Sequence, residues 1–154
     1  MSFRILGLSP EPFRHLYGLP DDRLAALGAR RVIADGPGFP DRIELRDLDP
    51  GEAAILLNYV HQPADTPYRA SHAIFVREGA ERAYEARDQI PQPLRTRPIS
   101  LRAFDAAGEM LDADLVDGAV LEPAIERMLA DGRVAYLQAH YAKRGCYAAR
   151  IERA

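Results

Sequence analysis

The chain has no tryptophan and a single cysteine, Cys146, among its 154 residues. One cysteine cannot close an internal disulfide, so no disulfide framework holds this fold, and the usage agrees with a reducing cytoplasm. Apolar runs are short. Glycine aside, the longest is the five residues 53–57, against about 20 for a membrane-spanning helix. The opening residues 1–8 carry too short an apolar stretch for a secretory signal. There is no basic excess either: 20 Lys+Arg against 23 Asp+Glu leave a net charge of −3, which argues against a free nucleic-acid binder. Internal repeats, a glycine-rich phosphate loop and a Gly-x-Ser-x-Gly elbow are all absent. That removes the usual signatures of nucleotide binding, hydride transfer and α/β-hydrolase chemistry. Lysine is nearly absent too. Lys143 stands alone beside 19 arginines, an excess that fits GC-rich codon usage; planar recognition of carboxylate or phosphate needs only one or two of them.

What is present is a 47% apolar fraction, enough for a packed core, and a length that suits one domain over residues 1–154. Alternation marks short strands at Phe3 to Leu8, Arg31 to Ala34 and, more weakly, Arg42 to Leu45. The clearest strand is Ala53 to Gln62. Its alternation sets Ile55, Leu57, Tyr59 and His61 on one face, and both faces are mostly apolar, so a central strand is expected. Pro63 and Pro67 confine a loop before the returning strand, Ser71 to Arg77. Residues 78–97 have a helical pattern early, but Pro91, Pro93 and Pro98 forbid a long helix. Ile99 to Phe104 and Met110 to Val116 read as a hairpin, as do Val134 to His140 and Tyr147 to Ile151. Helices are expected at Pro20 to Leu27 and Glu122 to Ala130, the second with an apolar stripe of Ile125, Met128 and Leu129. Connections this short exclude most parallel crossovers. The expected fold class is α+β: a mainly antiparallel, curved sheet of about eight strands with two or three short helices.

Chemistry gathers at the ends of two hairpins. His61 ends one strand and His72 begins its partner, so the two approach across the loop mouth. Tyr59 lies just behind, and the loop carries Asp65, Tyr68 and Arg69. Such a set on rigid strand ends suits a binding site; it equally suits a structured loop whose polar groups satisfy one another. The last hairpin repeats the pattern. His140 ends a strand, and Cys146 follows the basic turn Lys143-Arg144-Gly145, whose amides could cradle an anion. Cations and an imidazole beside a thiol favour a nucleophile; a small packed thiol is the plainer reading. His61, His72, His140 and Cys146 are zinc-ligand types, but their spacing matches no compact zinc motif, and no metal or other cofactor is assigned. Asp112 and Asp114 share a strand face and read as its wet side.

The blocks Leu57-Asn-Tyr-Val-His-Gln-Pro63, Pro67-Tyr-Arg-Ala-Ser-His-Ala-Ile-Phe-Val-Arg-Glu78, Leu101-Arg-Ala-Phe-Asp105 and His140-Tyr-Ala-Lys-Arg-Gly-Cys-Tyr-Ala-Ala-Arg-Ile151 resemble a family of bacterial proteins about this long, domain of unknown function family 1203. The resemblance covers essentially the whole chain. It implies one bacterial domain and carries no activity, cofactor or catalytic residue. Tyr141 departs from it, asparagine being common there, which matters if that position binds something. The expected function is therefore that of a cytoplasmic protein binding a small anionic molecule, a carboxylate or phosphate ester. In this reading Tyr59, His61, Tyr68, Arg69, Lys143 and Arg144 form the pocket, and His72, His140 and Cys146 are the candidates for acid–base or thiol-assisted catalysis. The alternative is a non-catalytic interaction domain in which the His and Tyr clusters are structural.

Overall fold

The computed structural model describes residues 1–154. Nine strands form two antiparallel sheets. The first contains β1 (Phe3–Leu6), β5 (Glu85–Arg87), β6 (Pro98–Phe104), β7 (Met110–Asp117), β8 (Tyr136–Tyr141) and β9 (Cys146–Arg153), in the order β5-β1-β9-β8-β6-β7. The second contains β2 (Arg30–Ile33), β3 (Ala53–Gln62) and β4 (Ala70–Arg77), in that order. Three short helices accompany them: α1 (Asp21–Ala26), α2 (Gln92–Arg95) and α3 (Glu122–Leu129). The fold is α+β and antiparallel, as expected, but with one strand more and divided between two sheets. No helix is long and apolar enough to cross a membrane.

The periodic segments fold where their pattern directs. β3 lies between β2 and β4, the central position that two apolar faces require. Pro123 occupies the first turn of α3, where its missing N–H costs nothing. That helix buries Ala124, Ile125, Met128 and Leu129 against β6, β7 and β8. They join Ile99, Leu101, Leu137 and Ile151 in the larger core. A smaller core of Phe13, Leu24, Ile43, Ile55, Ile74 and Val76 lies on one face of the second sheet. Each fully buried aliphatic side chain contributes about 2 kcal/mol. On the outer strand β7, Asp112 and Asp114 are exposed and share one partner, Arg127, at 3.1 and 2.8 Å.

Two expectations are corrected. Residues 42–45 are not a strand. The buried Asp41 carboxylate accepts from the Glu44 amide (2.6 Å) and from the Arg77 amide (2.7 Å), and Leu45 takes a positive φ of 52°. A side chain that bonds the local backbone in this way competes with the ladder and imposes a turn. The early part of residues 78–97 forms no helix: it runs through turns into β5, and only the four residues of α2 are helical.

The turn at residues 41–45 is fixed from both sides. Asp41 and Arg42 lie along the outer edge of β4 at Phe75. On the other side the Leu8 amide donates to the Arg42 carbonyl at 2.8 Å. A Cβ on Gly7 would lie 2.0 Å from the Ile43 carbonyl oxygen, so only glycine permits that approach. Two register shifts complete the frame, one in β3 between Val60 and Gln62 and one between β8 and β9 at Ala139/His140. An extra residue lets chain neighbours both face inward. His61 and Gln62 are consequently both buried, as are Tyr147 and Ala148.

Candidate functional site

The two hairpins meet. The His61 ring lies 4.8 Å from that of His140 and 6.2 Å from that of His72, and it stacks on Tyr147 at 5.6 Å. Tyr147 in turn packs against Tyr59 at 5.9 Å. Between the first two histidines stands Gln138. Its amide nitrogen donates to the His61 carbonyl oxygen, which can only accept, so Gln138 Oε1 faces both rings. His61 Nδ1 is 2.9 Å and His140 Nε2 is 3.0 Å from that oxygen. The other nitrogen of His140 faces the Gly145 carbonyl at 2.9 Å. Burial, aided by the nearby Arg102 charge, lowers the His140 pKa to about 3. Burial also lowers that of His61, whose Nε2 has no partner. His61 and His140 thus form an interior node that holds one sheet to the other.

Beside this node a cleft of about 760 Å³ opens between the outer edge of β4, the loop before residue 42 and the β8–β9 turn. That volume lies in the range of small-molecule sites. Phe39, Phe75 and Leu56 form its apolar wall, with the two phenyl rings 5.2 Å apart. Arg42, Arg97, Lys143 and Arg144 line the rest with His72, Tyr141 and Cys146, and no carboxylate lines it. Arg97 is neutralised by Asp47 at 2.6 Å. Arg42 is 1% exposed and has no carboxylate partner. It donates to the Tyr147 carbonyl (2.8 Å), the Pro40 carbonyl and Cys146 Sγ (3.2 Å). A buried charge of this kind requires compensation. The Tyr141 ring lies 5.0 Å from the Arg42 guanidinium carbon and 5.1 Å from that of Arg97. The Tyr141 hydroxyl is buried without a partner. Burial drives its pKa up to about 12, which keeps it a neutral donor.

The sequence-derived residues therefore divide. His72, Lys143, Arg144 and Cys146 line the cleft, whereas His61 and His140 lie beneath it in the interior node. Tyr59 packs between Phe13 and Tyr147. Tyr68 is exposed, and Arg69 bonds the Pro63 carbonyl beside a separate shallow hollow with Val60 and Ser71. Cys146 meets Arg42 rather than His140, both of whose nitrogens face other groups. No group of three or more His, Cys, Asp or Glu is arranged to hold a metal ion. The sequence reading missed Arg42, Arg97 and Gln138, and it marked Tyr141 only as a departure from the family, not as a site residue. Gln138 was within reach, because alternation along β8 sets Tyr136, Gln138 and His140 on one face. The family model described as "Protein of unknown function (DUF1203)" matches residues 38–153, a span that holds every residue lining this cleft except Pro37. The chain belongs to that family. No curated protein and no solved structure matches it. The DUF1203 match begins at the loop that supplies Phe39 and Arg42 and ends on the last residue of β9.

Proposed function

We propose that this protein binds a small anionic molecule in the cleft, with the charged group toward the cations and an apolar or aromatic body against Phe39 and Phe75. A carboxylate or a phosphate ester has this chemistry. One observation carries the reading. A chain of net charge −3 gathers three cationic side chains without acidic partners, Arg42, Lys143 and Arg144, around one cleft with no carboxylate on its wall, and Arg42 among them is buried. Lys143 and Arg144, exposed on the turn, would capture the anion, and His72, on the cleft wall, would exchange a proton with it. A cytoplasmic location fits a chain whose single thiol opens onto a ligand cleft.

Thermal unfolding against a panel of small carboxylates and phosphate esters tests this. A ligand at 100 times its Kd adds about 2.7 kcal/mol, which raises Tm by roughly 5–10 °C for a chain of this size. The shift should vanish in the double variant Lys143→Ala/Arg144→Ala. In His72→Ala it should shrink while the unliganded Tm stays within about 2 °C, since His72 is half-exposed. A panel without a single shift would support the interaction-domain reading instead; shifts that survive the double variant would take Lys143 and Arg144 out of the site.

A further inference from the structure

We propose that Cys146 is a covalent site for small carboxylates that carry an electrophilic carbon beside the carboxylate, such as an aldehyde or 2-oxo acid. The inference rests on the anion-binding reading and adds a reaction to it. Three observations meet at the sulfur. Cys146 is half-exposed and lines the cleft. The Arg42 guanidinium, buried and without a carboxylate, donates to Sγ at 3.2 Å. Such a donor stabilises negative charge on sulfur, the form in which cysteine attacks. Tyr141 is the cross-strand partner of Cys146 in the β8–β9 register. The residue is 5% exposed, lines the same cleft, and has a hydroxyl with no partner. A buried hydroxyl that nothing in the protein accepts is a donor awaiting an oxygen.

The step balances without an oxidant or a leaving group. The sulfur adds to the carbonyl carbon, the C–S bond forms, and the C=O π bond breaks. The oxygen ends with the thiol proton, giving a thiohemiacetal from an aldehyde or a thiohemiketal from a 2-oxo acid. Negative charge leaves the sulfur and appears on that oxygen, which is the acceptor the Tyr141 hydroxyl lacks. Lys143 and Arg144 hold the neighbouring carboxylate. Neither His140 nitrogen is free to act as the base, so His72 or water at the cleft mouth takes the thiol proton and passes it to the carbonyl oxygen.

Because the chain has one cysteine, alkylation reports on this site alone. Iodoacetate and iodoacetamide perform the same displacement: the C–S bond forms, iodide leaves with the C–I pair, and the thiol proton goes to solvent. They differ in the carboxylate. Adduct formation is followed by mass spectrometry at fixed pH on the folded protein and on the same chain unfolded in urea, which supplies the intrinsic rate ratio. The folded protein should favour iodoacetate over iodoacetamide by about tenfold more than the unfolded chain does, and the iodoacetate rate should saturate with concentration. In Lys143→Ala/Arg144→Ala the ratio should return to the unfolded value. Glyoxylate, an aldehyde carboxylate, should protect the wild type against iodoacetamide, and Tyr141→Phe should weaken that protection. Folded protein that reacts more slowly than unfolded with both reagents would overturn the proposal, as would a ratio equal to that of the unfolded chain. If anions still raise Tm in that event, the binding reading stands and the covalent role alone falls. If they do not, both fall.

Discussion

His140 is fully buried, and each of its ring nitrogens faces an oxygen that can only accept, Gly145 O at 2.9 Å and Gln138 Oε1 at 3.0 Å. A neutral imidazole has one N–H and serves one of them; an imidazolium serves both. Burial opposes the charge, and the charged and titratable groups around the ring are Arg102 from β6, His61 from β3, His72 from β4 and the edge-on Tyr147 from β9, with no carboxylate among them. The ring is therefore neutral, with a pKa near 3 against 6.5 for the exposed side chain. The sign follows from proton linkage. Below pH 6.5 the unfolded chain takes up a proton at this residue and the folded chain does not. The stability His140 contributes is complete above that pH and falls away as pH drops toward about 3. Between pH 7.5 and 5.5 the protonation of the unfolded state changes the balance tenfold, or about 1.4 kcal/mol. His61, also shifted down by burial, acts in the same direction. Carboxylates held low by arginine, such as Glu78 and Glu122, act only below this window.

Urea unfolding followed by circular dichroism at pH 7.5, 6.5 and 5.5 measures the effect. Comparison with His140→Asn isolates it, since the asparagine amide retains a donor for the Gly145 carbonyl. The variant should lose about 1–3 kcal/mol at pH 7.5 through lost packing. Its pH dependence should be flatter than that of the wild type by about 1.4 kcal/mol across the window. A wild type that gains stability on acidification, by an amount that His140→Asn removes, would show an imidazolium donating to both oxygens and would refute the argument.

Two further substitutions test the frame that places Arg42. Gly7→Ala puts a methyl group against the Ile43 carbonyl oxygen at 2.0 Å; overpacking of this kind should lower stability by about 1–3 kcal/mol and weaken anion binding in the thermal-shift assay. Asp41→Asn leaves one of the two amides, Glu44 or Arg77, facing an NH2 group instead of an oxygen. It should cost about 1–3 kcal/mol in urea unfolding at neutral pH; an unchanged midpoint would mean that the carboxylate does not hold the turn.

The parts of this fold that show in the sequence are those set by local periodicity. β3 matches its expected bounds residue for residue because ten alternating positions carry the signal, and α3 declares itself by its stripe and its Pro123. What pairing at a distance decides does not show. β1 joins β9 from the far end of the chain and β5 from 80 residues away, and β5, at three residues, is too short to alternate. The division into two sheets therefore had no local mark. The approach of His61 to His72 was legible, since strand ends flanking a loop must meet; the arrival of His140 from the other sheet was presumed by the pocket reading and has no local mark. Their separation into an interior node and a cleft was not legible either, because it depends on register shifts, and an added residue leaves no trace in composition.

The cleft's charge was hidden for a related reason. Nineteen arginines are spread along the chain, and the sequence does not reveal which of them find carboxylates. Arg31 closes on Glu78, Arg46 on Glu52, Arg77 on Glu44, Arg95 on Glu122 and Arg127 on two aspartates. An arginine so matched has little left to offer an incoming anion. Arg42 reads in the sequence as one more surface charge, yet a turn that Asp41 holds against β4 carries it inward, where carbonyls, a sulfur and the Tyr141 ring meet it and no carboxylate does. The turn that cancels the expected strand at residues 42–45 is thus the same feature that gives the cleft its unmatched cation. On the anion-binding reading, the local rule fails at this segment because the site requires it to fail.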